Sequence, residues 1–294
     1  MASTITALSV DFRAWSRDAR LFQIAALGTF LATGLATGAF DTSVATFVAV
    51  ATASVATQAV LSKVVGVQFD PRSALITALS VTLLLRAPSS AHLALAGAVA
   101  IGSKFLIRLD GRHVFNPANF AVVAALAASP SYWTASGQWG SAFWLAAVLA
   151  GAGAIVTTKA RRLDTPLIFL AVYAALILGR AIYLGDPLAI PLLKLQNGAL
   201  ALFAFFMLSD PMTTPAAPRV RAAFSAAAAA LAFVLTQLFF VSDGAFYALF
   251  ALCAISSVTN HLLVARAGSL SVRGGSEMGK APGSLVVQKT PSLR

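Results

Sequence analysis

The chain has 294 residues, of which 59% are hydrophobic and 11% charged, with a formal net charge of +11. No water-soluble domain of this length is expected to carry so much apolar surface, so most of it must face lipid. The basic residues lie in loops between apolar stretches and in the C-terminal tail, which argues against a nucleic-acid-reading face, and the single Cys253 leaves no disulfide framework, Cys-ligated metal centre or c-type haem motif.

Hydrocarbon gives backbone N–H and C=O groups no partner, so the unalternating Ala/Leu/Val/Phe runs predict spanning helices. An N-terminal segment, 1–20, precedes them. Within it Val10–Leu21 mixes Phe12 and Trp15 with Arg13, Arg17 and Arg20, as suits a short helix in the headgroup region. Ten helices are then expected at about 21–40, 43–63, 72–87, 91–108, 116–130, 139–157, 164–184, 188–208, 219–240 and 243–264. Those at 72–87 and 116–130 are short and bounded by Pro71, Pro88 and Pro117, which predicts broken or half-helices. A short external loop, 131–138, separates the first five from the last five. Residues 266–294 are rich in Gly, Ser, Lys and Arg without periodicity and read as a disordered basic tail.

Charge sets the expected orientation. With the N-terminus in the cytoplasm, Lys63, Arg72, Lys104, Arg108, Arg112, Lys159, Arg161, Arg162, Arg219, Arg221 and both terminal segments fall inside. Only Arg86, Arg180 and Lys194 remain outside or within spans, so ten helices with both termini cytoplasmic satisfy the positive-inside rule. Ser73–Pro88 and Asn197–Pro211 also resemble each other: a small or polar start, an apolar helix, then a charged residue just before proline. The expected fold is therefore an all-α integral membrane protein built as a 5+5 inverted repeat, with units at 21–130 and 139–265.

Three polar clusters interrupt the apolar helices. In Arg112–Asn119, Asn116 is placed as an N-cap with Pro117 at the first helical position, so the helix start presents free N–H groups to an anionic or carbonyl-bearing group, or caps only itself. In Leu195–Gly198, Gln196 and Asn197 need partners inside the membrane and Gly198 allows close approach of a backbone or a planar ligand; interhelical hydrogen bonding is the plain alternative. Ser209–Pro215 ends the eighth helix, with Asp210 expected to accept backbone N–H bonds beyond Pro211 or to pair with Arg219 or Arg221. The candidate ligand-contacting residues are thus Asn116, Asn119, Gln196, Asn197, Gly198 and Thr213; no metal site and no hydrolytic triad emerges.

Read in order, SALITALSVTLLL (73–85), GSKFLIR (102–108), GRHVFNPA (111–118) and FAFFMLSDPMTT (203–214) resemble the family that contains the D subunit of the Rnf electron-transport complex and the B subunit of the sodium-translocating NADH:quinone oxidoreductase. The resemblance covers about residues 20–265. It implies a urea-transporter-like fold, the bacterial cytoplasmic membrane, other membrane subunits as partners, and electron transfer coupled to Na⁺ or H⁺ movement. It also implies flavin. Many relatives carry flavin mononucleotide on a threonine of a Ser-x-Ala-Thr motif, in an insertion between the fifth and sixth helices. Here that connection, Pro130–Trp139, has neither motif nor insertion. The strings ending at Thr46 and Thr57 match Ser-x-Ala-Thr but lie in the second helix, where such strings arise by chance. Covalent flavin is therefore not expected; the resemblance leaves either flavin mononucleotide or riboflavin held without a covalent bond, or no electron transfer in this subunit. A channel for a small neutral solute on the same scaffold is the alternative function.

Overall fold

The structure, a computed structural model, describes residues 18–135 and 143–277. Its helices are α1 Ala19–Ala36, α2 Val44–Val65, α3 Pro71–Leu84, α4 Ser90–Leu106, α5 Pro117–Ala128, α6 Phe143–Lys159, α7 Asp164–Leu184, α8 Ala189–Leu195, α9 Gly198–Leu202, α10 Pro218–Phe233 and α11 Gly244–Glu277. Helix α9 continues as a π-helical segment, Phe203–Leu208, and α10 as another, Val234–Leu238. Every predicted apolar stretch thus contains helix. Among the described residues, five helices are long and apolar enough to cross a membrane, or six if α8 and α9 with its π-helical continuation, bent by 45° at their break, make one span.

Local chemistry sets the helix ends. Asp18, Ser43, Asp70, Asn116 and Asn197 each cap a helix by accepting a backbone N–H within the first turn, and Pro71 and Pro117 occupy first positions where a missing N–H costs nothing. Gly66 and Gly185 close α2 and α7 in the left-handed conformation, with φ of 72° and 74°. Two boundaries differ from expectation. Helix α3 stops at Leu84 rather than about 87, because Ala87 precedes Pro88 and is pushed out of helical backbone; Leu85–Arg86 instead pairs antiparallel with Trp133–Thr134. The last helix runs to Glu277, so residues 266–277 are helical where a disordered tail was expected: no proline interrupts the chain there, and each added residue closes another hydrogen bond. The rest of that tail, most of the N-terminal segment and residues 136–142 lie outside the described residues.

Helix α2 packs on α3 and α4, and α7 packs on α10; α1 lies against α3 and α6, and α5 against α11. At the centre sit α3, buried from Thr77 to Leu84, and the π-helical segment, buried at every position from Phe203 to Leu208. Aromatic contacts seal this middle layer, with Phe115 stacked on Phe250 at 4.3 Å and Phe203 edge-on to Phe246 at 5.5 Å. A second two-residue pairing, Arg108–Leu109 with Arg112–His113, turns through Asp110 (φ 50°) and Gly111 (φ 77°), the Asp-Gly chemistry that a tight hairpin requires.

Candidate cofactor cavity between the two halves

The end of the π-helical segment and the start of α5 form one polar cluster. The Asn116 side chain caps α5 by accepting from Asn119 N at 3.1 Å, while its amide nitrogen donates to Asp210 Oδ2 at 3.1 Å. Asp210 Oδ1 accepts the backbone N–H of Met212 at 2.9 Å, and the Asp210 carbonyl accepts from Thr214 Oγ1 at 2.7 Å. Across the gap, Arg112 donates to the Pro211 carbonyl at 2.6 Å, and His113 Nε2 lies 3.7 Å from Asp210 Oδ2. The expected Asx-type turn beyond Pro211 is therefore present. The alternative, an ion pair with Arg219 or Arg221, is not formed: Arg221 binds Asp164 at 2.7 Å, because α10 places it against the start of α7, and Arg219 forms no ion pair among the described residues.

This cluster walls a cavity of about 660 Å³. The first half contributes Gln23, Gln58, Ser73, Thr77, Ser80, Lys104, His113 and Asn116; the second contributes Val156, Thr157, Phe205, Phe206, Ser209 and Asp210. The cavity therefore lies between the halves and reaches residues well inside α2 and α3. The π-helical backbone turns carbonyls toward polar partners, with Gln23 Nε2 donating to Phe206 O at 3.4 Å and Ser209 Oγ to Phe205 O at 2.5 Å. Segments of this kind recur at functional sites because they displace a helix face by one residue. At the rim, Asp18 and Asp70 each bridge Arg20 and Arg72, at distances of 2.7–3.2 Å, and so tie α1 to α3. Burial raises the carboxyls of Asp18 and Asp70, but the facing guanidinium groups outweigh it and hold both below the usual 3.8.

The six candidate residues do not make one site. Asn116 lines the cavity. Asn119 lies one turn behind it, donating to Phe246 O at 3.1 Å, and Thr213 is buried in the turn after Asp210. Gln196, Asn197 and Gly198 sit at the other end of the α9 segment, about 15–20 Å along the helix. There the Asn197 side-chain oxygen caps α9 by accepting from Ala199 N at 2.8 Å. Thr46 is buried at the start of α2, with its hydroxyl against Ser43 and Ser90 at 3.0 and 2.9 Å. Sequence reading passed over Gln58, Ser73, Phe205 and Phe206 as lining residues, and gave Lys104 and His113 no site role. The signal was present in part: an amide among the apolar residues of α2, four residues from a serine on either side, marks a buried polar face.

The family model described as the NQR2, RnfD, RnfE family matches residues 136–267, a stretch that includes Phe205–Thr214. The D subunits of bacterial ion-translocating oxidoreductase complexes are similar over part of the chain. Those of Escherichia coli O1:K1 / APEC and Escherichia coli O81 (strain ED1a) are 34% identical over 111 residues, which is 38% of this chain and 30% of theirs. That of Citrobacter koseri is 37% identical over 112 residues, again 38% of this chain and 31% of the relative. The matched region thus spans less than a third of those relatives. Residues 136–267 are similar to the NQR2, RnfD, RnfE family, over a little under half of the chain.

Proposed function

We propose that this chain is a membrane subunit of an electron-transport complex of the Rnf/Nqr kind, working beside other membrane subunits in the bacterial cytoplasmic membrane and contributing to electron transfer coupled to Na⁺ or H⁺ movement. The observation that carries the reading is the cavity between the halves, walled on the second-half side by Phe205–Met212, within the stretch that matches the family. Its volume of about 660 Å³ suits a medium-sized organic cofactor. The flat walls Phe205 and Phe206, together with the buried and unpartnered His113 Nε2, fit a flavin held without a covalent bond. A bound flavin would supply the one- and two-electron chemistry. The chain's own part is to exclude lipid with the Phe205–Phe206 wall, to orient the ligand by hydrogen bonds from Asn116 and His113, and to fix the Asn116 amide through Asp210.

The arrangement also supports the inverted repeat. The end of the π-helical segment meets the start of α5 through Asp210 and Asn116, while the end of α3 pairs with the strand whose Thr134 donates to Asp243 at 2.5 Å, just ahead of α11. These are equivalent junctions under a 5+5 inversion, with both termini cytoplasmic. A flavin spectrum of the purified protein before and after acid precipitation tests the cofactor: flavin released to the supernatant is expected. Flavin retained in the pellet, or colourless protein, would refute a non-covalent flavin. For orientation, a cysteine placed at Ser136 should be labelled from outside intact cells and one at Ala160 spared; the reverse pattern would overturn the topology.

A further inference from the structure

Lys104 lies in the inner part of the cavity, near one end of α4, and its ammonium donates to Ser73 Oγ at 2.9 Å and to Gln58 Oε1 at 3.3 Å. Both acceptors are neutral. Gln58 is almost wholly buried, at 3% exposure, so the ammonium is held against the packed interior rather than reaching for bulk water. No ion pair reaches Lys104 among the described residues. The carboxylates that also line the cavity are committed elsewhere. Asp70 is shared with Arg20 and Arg72, and Asp210 accepts from Asn116 and Met212 and faces His113. Arg108, also lining the cavity, donates from its side chain to the Gly111 carbonyl and forms no ion pair among the described residues. Counting charges, Asp18 and Asp70 balance Arg20 and Arg72, which leaves Asp210 as the one remaining carboxylate facing two cations, Lys104 and Arg108, so the lining keeps a net positive charge.

A half-buried cation beside a membrane interior is costly unless a counter-charge meets it. Separately, His113 Nε2 lines the same cavity, its side chain 10% exposed and the atom without a hydrogen-bond partner. A buried ring nitrogen of that kind asks for a hydrogen-bond partner. We propose that the cavity binds a phosphate-bearing ligand, its phosphate on Lys104 and its uncharged part against Phe205, Phe206 and His113. A phosphate monoester of a planar cofactor and the headgroup of an anionic phospholipid share that chemistry. The monoester form rests on the flavin reading above; the phosphate site does not.

The test uses the full chain purified in detergent. Flavin mononucleotide and riboflavin differ only by the phosphate, so their affinities, read by fluorescence quenching, isolate its contribution. Flavin mononucleotide should bind at least about ten-fold more tightly, inorganic phosphate should compete with that preference, and Lys104→Gln should abolish it while leaving riboflavin affinity unchanged. If neither flavin binds, the flavin reading fails and the lipid arm decides. Phosphatidylglycerol, but not phosphatidylcholine, should then be retained through purification and raise the unfolding temperature, and Lys104→Gln should lose both effects. Should Lys104→Gln fail to fold, phosphate competition in the unaltered protein and retention of the preference in Lys104→Arg carry the same test. Equal affinity for both flavins, or no flavin binding, together with no response to phosphate or phosphatidylglycerol, would mean a merely hydrated lysine and overturn the proposal.

Discussion

Helices α2 and α7 bury residues at the same spacing and with opposite chemistry. In α2 the buried row is Thr46, Val50, Ser54, Gln58 and Ser62; in α7 it includes Thr165, Phe169, Tyr173, Ile177 and Ala181. Both rows advance by four, the ridge that packs into a neighbouring helix's groove. The α2 row meets the small-residue face of α4, where Gly97 lets the helices close, and leads through Gln58 to Lys104 and the cavity. The α7 row meets alanines of α10, and its rings stack, with Phe169 on Tyr173 at 5.8 Å and against Phe203 at 5.4 Å. One half supplies most of the polar lining; the other braces the π-helical segment that forms the opposite wall. The same packing geometry therefore serves two purposes, set by side-chain chemistry.

The largest contrast should come from truncating each row. Phe169 is fully buried, so Phe169→Ala leaves a void among stacked rings and should cost about 3–5 kcal/mol. Ser54 is equally buried, but its hydroxyl has no hydrogen-bond partner, so Ser54→Ala should be neutral or stabilising by up to about 1 kcal/mol. Chemical unfolding in detergent measures both. Similar losses for the two variants would mean that the rows are energetically alike and the comparison is empty.

Next in size is the close approach at Gly97. A Cβ there would sit 2.6 Å from Ser54 Oγ, 3.0 Å from Val50 Cγ1 and 3.3 Å from the Val50 carbonyl, so Gly97→Val must force α2 and α4 apart and cost about 1–3 kcal/mol. In the same helix a Cβ at Gly102 meets nothing within 4 Å, and Gly102→Ala should be neutral or gain up to about 1 kcal/mol of helix propensity. The Gly97 variant should also loosen ligand retention in the cavity. Indistinguishable unfolding curves for the two would show that the α2–α4 contact does not depend on that glycine.

A smaller effect is expected where the halves meet. Asn116→Leu removes both the α5 cap and the bond to Asp210 and should cost about 1–2 kcal/mol, whereas Pro117→Ala keeps the helical backbone and should be mild. Asp210→Asn retains an oxygen for Met212 N and should preserve assembly and any electron transfer; Asp210→Leu should lower the yield of folded protein. A well-folded Asn variant that has lost electron transfer would move Asp210 from a structural role into the reaction path.

Much of this was legible in the sequence because each signal is local. The cap at Asn116, prolines at 71 and 117, and long apolar runs act within a few residues, so helix positions and the two short segments follow from them. Single-sequence reading lost what depends on contact between distant segments. Leu195–Gly198 looked like a binding cluster because buried amides need partners, yet Asn197 finds its partner two residues along the chain. The cavity escaped notice because Gln58, Ser73, Lys104 and Phe205 come from four separate elements, and spacing within any one of them does not reveal that they converge. The length of the last helix was missed for the opposite reason: glycine and serine weaken a helix but, unlike proline, do not end it.

The smallest expected effect lies at the rim, where Asp18 and Asp70 bridge Arg20 and Arg72 and close the polar half against the bulk. Both carboxyls are held below the usual 3.8, so their contribution to stability is complete above that value and is lost as the pH falls through the depressed range. Between pH 7 and 5 this network should therefore contribute no change. Below about pH 4 the folded state should weaken, and less steeply in high salt, because these side chains are partly exposed and screened. Asp18→Asn combined with Asp70→Asn should flatten that acid limb while leaving the pH 5–7 range untouched. Phe169 packs among rings on α7 and the π-helical segment, apart from the rim carboxylates, so Phe169→Ala should lower stability by the same amount at every pH. A pH-dependent deficit in Phe169→Ala, or an acid limb unchanged in the double Asn variant, would show that the two packed rows are not energetically separate and that the rim ion pairs are not what closes the polar half.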